Sequence, residues 1–194
     1  MTAFVPSANL RCVLARLDRL FRHPKQDVAR PPAVTLEPIG VVRNKVPVPQ
    51  AYDFDWQKVE SRIVVYPELA DALLGLDAYS HVVVLFWPHQ LEDGVRGSKH
   101  RLHPLDDERN PLQGILATRS QIRFNPILLT AVRLLMVKGN VLKVRGLDAV
   151  NDSPVLDLKP YNPYFDAVAD ATVPEWLSTA AERRREAMEA DRGG

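Results

Sequence analysis

The strongest constraint on the fold is a series of strand-length aliphatic segments that no long helix separates. Two of these segments are joined by Gly139-Asn140, a tight turn in which both residues tolerate positive φ, so their strands should be antiparallel. The β-branched and aliphatic segments cover residues 35–42, 58–65, 80–87, 127–137 and 141–147. One short helix is predicted among them, over 67–74, with Pro67 at its start and Gly75 after it.

Many antiparallel strands with few helices favour a barrel, because closure removes the exposed strand edges. The sequence contains no Gly-x-Gly-x-x-Gly after a strand, which argues against a Rossmann dinucleotide fold. We therefore predict a mainly β protein: a closed or nearly closed, antiparallel-rich β-barrel with a few short helices. Helical appendages are expected at both ends of the chain.

Three segments are predicted along the chain. Residues 1–33 form an N-terminal extension, with apolar residues at helical spacing over 10–21 and a proline-rich linker over 22–33. The barrel domain covers 34–168, and a C-terminal tail covers 169–194. A charged helix is predicted over 174–190, and its run of arginines and glutamates is expected to face solvent.

Composition narrows the classes of function. With 46% apolar residues the chain can bury a core, and its single cysteine, Cys12, cannot form an internal disulfide. No apolar run approaches the roughly 20 residues of a membrane span, so we expect a soluble intracellular protein. A net charge of +1 is low for a nucleic-acid protein, so any RNA contact must depend on local basic patches.

Metal and nucleophilic chemistry are weakly indicated. His100 and His103, with His89 upstream, lack the helical spacing and cysteine partners of common zinc sites, so no metal is predicted. Ser80 precedes His81, but neighbouring strand residues point to opposite faces and should not bond side chain to side chain. His81 is instead expected to be a packed strand residue.

A dense polar stretch over 114–127 is the first candidate site. Arg119 and Arg123 can bind a carboxylate or phosphate bidentately, although salt bridges to nearby acids would explain either arginine equally well. The amine of a purine ring is a weak nucleophile. Asn125 can hold the N–H groups of such an amine while the lone pair of the amine faces an electrophile. The alternative for Asn125-Pro126 is an ordinary turn.

The second candidate site is a short strand over 153–161. Asp157, Lys159 and Tyr161 alternate along it and should share one face at steps of about 6.6 Å. A carboxylate, an ammonium and a phenol in a row can orient a polar substrate and move a proton. Without a ligand they would form a ladder of paired surface charges.

Four motifs, in order, resemble those of the TsaA-like (YaeB-like) family of S-adenosylmethionine-dependent tRNA methyltransferases. They are residues 38–42 (PIGVV), 79–86 (YSHVVVLF) followed by His89-Gln90, 117–127 (ATRSQIRFNPI) and 153–161 (SPVLDLKPY). Characterised members methylate N6 of threonylcarbamoyl-adenosine beside the tRNA anticodon and form β-barrel dimers. The resemblance implies S-adenosylmethionine as cofactor, tRNA as partner, a homodimer and a cytoplasmic location.

Position by position, the resemblance implies the cofactor contacts, and the chemistry of the remaining polar residues suggests the catalytic and substrate contacts. Cofactor contacts are implied at His89, Gln90, Arg119, Leu129, Gly146, Leu147, Asp148 and Ala149. Asn125 would steer the accepting amine together with the catalytic group Asp157, Lys159 and Tyr161. Arg123 would bind substrate, and Arg96, Lys99 and Arg101 of the predicted 88–113 loop would meet tRNA phosphates.

The sequence also departs from the family pattern. The first family motif, Pro-Arg-Gln, is replaced by 53–56, where Trp56 would cover an adenine ring and the neighbouring acids would take the cofactor's ammonium. Phe124 and Leu128 stand where the family has proline and glycine, so the pocket should be smaller or reshaped. Two alternatives therefore stay open: a methyltransferase for a small metabolite, and a non-catalytic S-adenosylmethionine-binding module.

Overall fold

A computed structural model describes residues 26–51, 54–92 and 94–190 of the chain. The predicted helix over 10–21 and the first residues of the predicted linker lie outside these ranges. The chain divides into two units, 1–35 and 36–194. The described part of the first unit, 26–35, contains no helix or strand.

The described residues form eight strands and two α-helices. These are β1 (Gly40–Arg43), β2 (Glu60–Val65), β3 (His81–Phe86), β4 (Arg101–Leu102), β5 (Gln113–Gly114), β6 (Leu128–Lys138), β7 (Val141–Arg145), β8 (Pro154–Pro160), α1 (Pro163–Asp166) and α2 (Glu175–Ala190). Six strands close a barrel in the order β1-β2-β7-β6-β3-β8, and every neighbouring pair is antiparallel. The predicted closed antiparallel barrel is confirmed.

The barrel interior is filled by aliphatic side chains from all six strands. β-branched residues suit this pleated, enclosed surface, and one face of each strand supplies them. Completely buried members are Val42, Ile63, Val82, Val84, Leu142, Val144 and Val155. The opposite faces of the same strands point outward, and they carry three of the predicted site residues: Leu129, Asp157 and Lys159.

The hairpin between β6 and β7 is confirmed, with Lys138 opposite Val141. Of the two turn residues that tolerate positive φ, only Gly139 adopts it, at 57°. The Asn140 side chain instead donates to the carbonyl of Val65 at 2.6 Å, which attaches the hairpin tip to β2.

Connections between strands hold more structure than predicted. Five short 3₁₀ turns replace the single expected helix: Trp56–Lys58, Pro67–Leu73, Leu76–Ala78, Pro104–Asp106 and Ile115–Ala117. The 88–113 segment is not a plain loop, because β4 and β5 pair within and beside it. The first predicted strand, 35–42, begins only at Gly40.

The predicted C-terminal helix is confirmed as α2, but the expectation that its charged run faces solvent is wrong for part of it. Ala180 is buried at 3% exposure. Arg183 donates to the Asn110 side chain at 2.7 Å, and Arg184 donates to the carbonyl of Phe54 at 3.4 Å. The helix therefore docks on the chain body through its arginines.

No helix within the described ranges is long and apolar enough to cross a membrane.

Candidate cofactor and acceptor site

Two hydrogen bonds bring three predicted cofactor residues together at one end of the barrel. Arg119 Nη2 donates to the carbonyl of Leu129 at 2.9 Å, where β6 begins. The next residue, Thr130, donates through its hydroxyl to Oδ1 of Asp148 at 2.5 Å. The 117–119 segment, the start of β6 and the segment after β7 therefore meet at one place. Arg119, Leu129 and Asp148 are all exposed there.

The segment Gly146 to Ala149 alternates between buried and exposed side chains. Leu147 and Ala149 are at 0% and 1% exposure and belong to the core, whereas Asp148 between them is exposed. Leu147 and Ala149 can therefore present only backbone groups to a ligand. Gly146 has φ of 92°, and a Cβ there would lie 3.0 Å from the side-chain oxygen of Gln57, so the turn favours glycine.

Trp56 lies in the 3₁₀ turn that precedes β2. Its half-buried ring packs edge-on against Phe54, with centroids 4.9 Å apart and planes at 71°. The turn is fixed to the predicted cofactor segment, because Gly146 N–H donates to the carbonyl of Val59 at 3.0 Å. Asp53, predicted to take an ammonium, lies outside the described residues. Asp55 is in an ion pair with Lys58 at 3.1 Å.

His89 and Gln90 follow β3 and are both exposed. The Gln90 amide donates to the carbonyl of Pro47 at 2.7 Å. The same 44–47 segment reaches the turn before β8, because Asn151 N–H donates to the carbonyl of Val46 at 2.7 Å. The structure thus connects Gln90 with the turn that follows Ala149, while direct cofactor contact by His89 and Gln90 stays a prediction.

Asp157 and Lys159 form an ion pair at 2.7 Å on the outer face of β8. A β-bulge near Leu85 separates inward Val155 from outward Asp157. The hydrogen bond from Lys159 to Asp157 raises the pKa of the Lys159 ammonium. At neutral pH the ammonium therefore keeps its proton, and the carboxylate is the member of the pair able to accept one.

The outer faces of β8, β3 and β6 connect this ion pair with the cofactor cluster. Asp157 lies opposite Leu85, and Leu85 lies opposite Leu129. Two strand spacings separate Asp157 from Leu129, a distance of about 10 Å. Tyr161 follows the end of β8, and its ring contacts His81 with centroids 6.3 Å apart. Tyr161 is therefore tied to β3 at the far end of the row.

Asn125 is held in place by Arg96. The Arg96 guanidinium donates to the carbonyl of Phe124 at 2.8 Å and to Asn125 Oδ1 at 3.3 Å, and it lies 5.2 Å from the centre of the Trp87 ring. Arg96 thus positions the Asn125 side chain from the end of β3. Its predicted contact with phosphate would compete with these three contacts.

The other predicted substrate residues, Lys99, Arg101 and Arg123, have no side-chain partner among the described residues. Lys99 and Arg101 are exposed and make no side-chain hydrogen bond or ion pair with any described residue, and the same holds for half-buried Arg123. The segment that carries Arg96 and Lys99 lies against the segment that carries Arg123, because Gly97 N–H donates to the carbonyl of Ile122 at 3.0 Å. Their roles stay predictions.

One prediction about Ser80 and His81 is wrong. The Ser80 hydroxyl lies 2.8 Å from Nδ1 of His81. Ser80 stands just before β3 begins, so the opposite-face rule for neighbouring strand residues does not apply to it. Across the described residues, no group of three or more histidine, cysteine, aspartate or glutamate side chains could hold a metal ion.

Sequence reasoning missed two residues that build the site. Thr130 lies opposite Val84 on the inward side of β6, where a hydroxyl among aliphatic residues was a readable signal. Asn44 donates to the carbonyl of Ala149 at 2.8 Å and to the Ser61 hydroxyl at 3.0 Å. Nothing in the sequence around Asn44 indicated these contacts, because its partners are 17 and 105 residues away.

Known proteins are similar to this chain over the region that contains the barrel. Residues 26–167 match the family model described as the tRNA-methyltransferase O N-terminal domain. A Methanothermobacter thermautotrophicus protein named probable S-adenosyl-L-methionine-binding protein is 36% identical over 137 residues, which are 70% of this chain and 95% of that protein. An Escherichia coli tRNA (adenine(37)-N6)-methyltransferase is 39% identical over 107 residues.

Solved structures agree with the sequence matches. A crystal structure of TrmO from Pseudomonas aeruginosa superposes with a TM-score of 0.57 at 32% identity and covers 72% of this chain. The match takes in 61% of that structure, and the E. coli match takes in 45% of the bacterial enzyme. The chain thus spans nearly all of the archaeal relative but only part of these two bacterial proteins.

Proposed function

The chain belongs to the family of the tRNA-methyltransferase O N-terminal domain, and we propose that it is an S-adenosylmethionine-dependent methyltransferase. Its acceptor would be N6 of adenosine, in the threonylcarbamoyl form, next to the anticodon of a tRNA. This proposal is supported by the E. coli relative, which is named a tRNA (adenine(37)-N6)-methyltransferase. A tRNA acceptor would place the protein in the cytoplasm.

The proposal is supported by one observation: the contacts Arg119–Leu129 and Thr130–Asp148 bring three of the predicted cofactor residues together from three distant segments. The groups present fit the cofactor. Arg119 has guanidinium N–H groups beyond the one that Leu129 occupies, and these can bind a carboxylate. Asp148 has a second carboxylate oxygen for a ribose hydroxyl or an ammonium. When bound, S-adenosylmethionine supplies an electrophilic methyl group on a sulfonium.

The chain's own residues act mainly by positioning. Alignment of two reactants can lower a barrier by about 7–11 kcal/mol, more than a single acid or base contributes. Asn125, fixed by Arg96, can accept an N–H of the acceptor amine and orient its lone pair. The amine loses one proton as its new N–C bond forms, and the Asp157 carboxylate is the group available to take it.

We also propose a homodimer. The outer face of β6 exposes Leu129 and Met136 at 45% and 43%. Exposed apolar side chains on a sheet face are suited to burial against a second copy. Light scattering on the purified protein should give twice the monomer mass of 21.8 kDa; a monomer at micromolar concentration would contradict the dimer alone.

The case for a small-metabolite acceptor rested on the near-neutral net charge of +1 and on Phe124 and Leu128, and these two bulky side chains have structural explanations. The Phe124 ring packs against His100, with centroids 5.2 Å apart, and close to Gly97, where a Cβ would lie 3.1 Å from the ring. Leu128 packs against the barrel core. Neither Phe124 nor Leu128 therefore implies a smaller pocket. Without that argument for a small acceptor, tRNA is favoured.

The decisive experiment is transfer of labelled methyl from S-adenosylmethionine to tRNA bearing threonylcarbamoyl-adenosine. We expect label in the N6-methylated nucleoside, and no label with tRNA that lacks the threonylcarbamoyl group. Label in a small-molecule extract but not in tRNA would replace the acceptor and keep the methyltransferase. Tight cofactor binding by calorimetry, with no transfer to either pool, would identify a non-catalytic binding module.

A further inference from the structure

A row of cations crosses the outer face of the barrel on strands β1, β2 and β7. Arg43 lies directly opposite Arg62, and Arg62 lies directly opposite Lys143. Like charges in directly opposed positions destabilise a sheet. Three cations in one row therefore lower the stability of the folded barrel.

Two acids offset part of that cost. Asp152 forms an ion pair with Arg43, and Glu60 binds both Lys143 and Arg145, at 2.6 and 2.7 Å. The hydrogen bonds from Arg145 and then Lys143 lower the pKa of Glu60 to about 2. The Glu60 carboxylate thus stays ionised in a strongly positive environment.

Arg62 of this row and Lys45, which follows β1, have no partner within the described ranges. Arg62 and Lys45 are exposed and form no side-chain hydrogen bond or ion pair with any residue in the described ranges. Both line an open cleft of about 710 Å³. Five basic residues and one acidic residue line this cleft among the described residues: Arg43, Lys45, Lys58, Arg62, Lys143 and Glu60.

The cleft borders the candidate cofactor segment. Asn44 lines it and donates to the carbonyl of Ala149. Val59 also lines it, and its carbonyl accepts the N–H of Gly146. Both ends of the 146–149 segment are therefore held by residues of the cleft, so a polymer lying in the cleft would pass next to the cofactor segment.

We propose that this basic cleft binds the phosphate backbone of the tRNA substrate. The inference rests on the proposed function, and it assigns phosphate contacts to Arg62 and Lys45, with Lys143 and Arg43 beside them. A small anion would need convergent donors in an enclosed site. Here Arg43 and Lys143 are 53% and 40% exposed along an open wall, which suits an extended polyanion.

The test compares the double variant Lys45→Gln/Arg62→Gln with the wild-type chain in binding to unfractionated tRNA across a salt series. Loss of two phosphate contacts should make the slope of log K against log salt shallower by about 1.4–1.8. At 0.1 M salt the affinity should fall about ten-fold or more. S-adenosylmethionine binding by calorimetry should not change, because neither side chain forms a hydrogen bond or ion pair with the 146–149 segment.

A matched control removes the same charge elsewhere. Lys138→Gln/Arg185→Gln replaces two exposed cations that do not line the cleft, and it should leave tRNA affinity within about two-fold. An equal loss in both double variants would overturn the inference, because only net charge would matter. Unchanged tRNA binding in the cleft variant would also overturn it. Wild-type protein that binds S-adenosylmethionine but no tRNA would remove the RNA partner and leave the cofactor assignment standing.

Discussion

The hydroxyl of Thr130 donates to the carboxylate of Asp148 across 2.5 Å, joining residues on β6 and after β7 that are 18 positions apart. Asp148 is exposed, so this bond does little for the core. The bond fixes one carboxylate oxygen of Asp148 and thereby also fixes the orientation of the second oxygen. The pair is therefore a preorganised acceptor beside the Arg119–Leu129 contact.

Asp148→Asn should weaken S-adenosylmethionine binding about 10- to 100-fold, because a hydrogen bond to a charged group contributes about 1.5–3 kcal/mol. Calorimetry measures the loss directly. Asp170→Asn changes an exposed aspartate outside the site and should bind the cofactor normally. Equal affinity in the two variants would remove Asp148 from the cofactor site.

Arg119→Ala should weaken cofactor binding, and Arg119→Lys should recover only part of the loss, since an ammonium lacks the planar fork that binds a carboxylate bidentately. The Arg119–Leu129 bond is exposed, so either variant should change the free energy of unfolding by about 1 kcal/mol or less. Full affinity in Arg119→Lys would show that charge alone is needed. Full affinity in Arg119→Ala would exclude Arg119 from the cofactor site.

The barrel could be predicted because the aliphatic residues of each strand indicate which of its faces points inward. Hairpin β6–β7 followed from Gly139 in the same way, as local turn chemistry. The cation row was not predictable. Arg43, Arg62 and Lys143 are far apart in sequence, and they meet only through the register of three strands.

The site was predictable only where family motifs carried it. Arg119 and Asp148 could be named from the resemblance, yet the Thr130 hydroxyl that joins their segments depends on how β6 and β7 pair. For Arg96, phosphate binding stays a prediction, and its contacts within the fold could not be read from the sequence. Its charge in a polar segment indicated phosphate binding, and the fold turns it toward Trp87 and Asn125.

Glu60→Gln should make stability depend less on pH. The Glu60 pKa is lowered from 4.5 to about 2 in the folded chain, so its contribution is fully present above pH 4.5 and is lost as pH falls through 2. Thermal unfolding of the two proteins should therefore differ most above pH 4.5 and converge toward pH 2.

The Glu60→Gln variant should also bind tRNA more tightly, because its cleft loses its acid. Weaker tRNA binding would contradict the basic-cleft assignment.

Gly40→Ala should destabilise the barrel where β1 passes β2. A Cβ at Gly40 would lie 2.4 Å from the carbonyl oxygen of Val64, so backbone must move. Such overpacking costs about 1–3 kcal/mol, and urea denaturation would measure it. Gly114→Ala is the matched control, since nothing lies within 4 Å of its Cβ position and its φ is −63°. Similar losses in both would show that chain flexibility, not the close approach, sets the cost.

Arg183→Ala should loosen α2 from the chain body. Asn110 is 1% exposed, and Arg183 supplies the donor to its side-chain oxygen at 2.7 Å. Removal of that donor leaves a buried acceptor unpaired, which costs about 1–3 kcal/mol. Arg185→Ala, on the same helix but exposed, should cost less than about 0.5 kcal/mol.

Urea denaturation separates these two arginines, and limited proteolysis shows where the change occurs. In Arg183→Ala we expect faster cleavage within α2, together with faster cleavage of the 104–110 segment that the helix covers. Because Arg184 of the same helix reaches the carbonyl of Phe54, the loosening should extend to the turn that carries Trp56. Cofactor affinity should then fall in Arg183→Ala and not in Arg185→Ala. Equal proteolysis of both variants would mean that α2 is held by its apolar contacts, such as Ala180, and not by the Arg183–Asn110 bond.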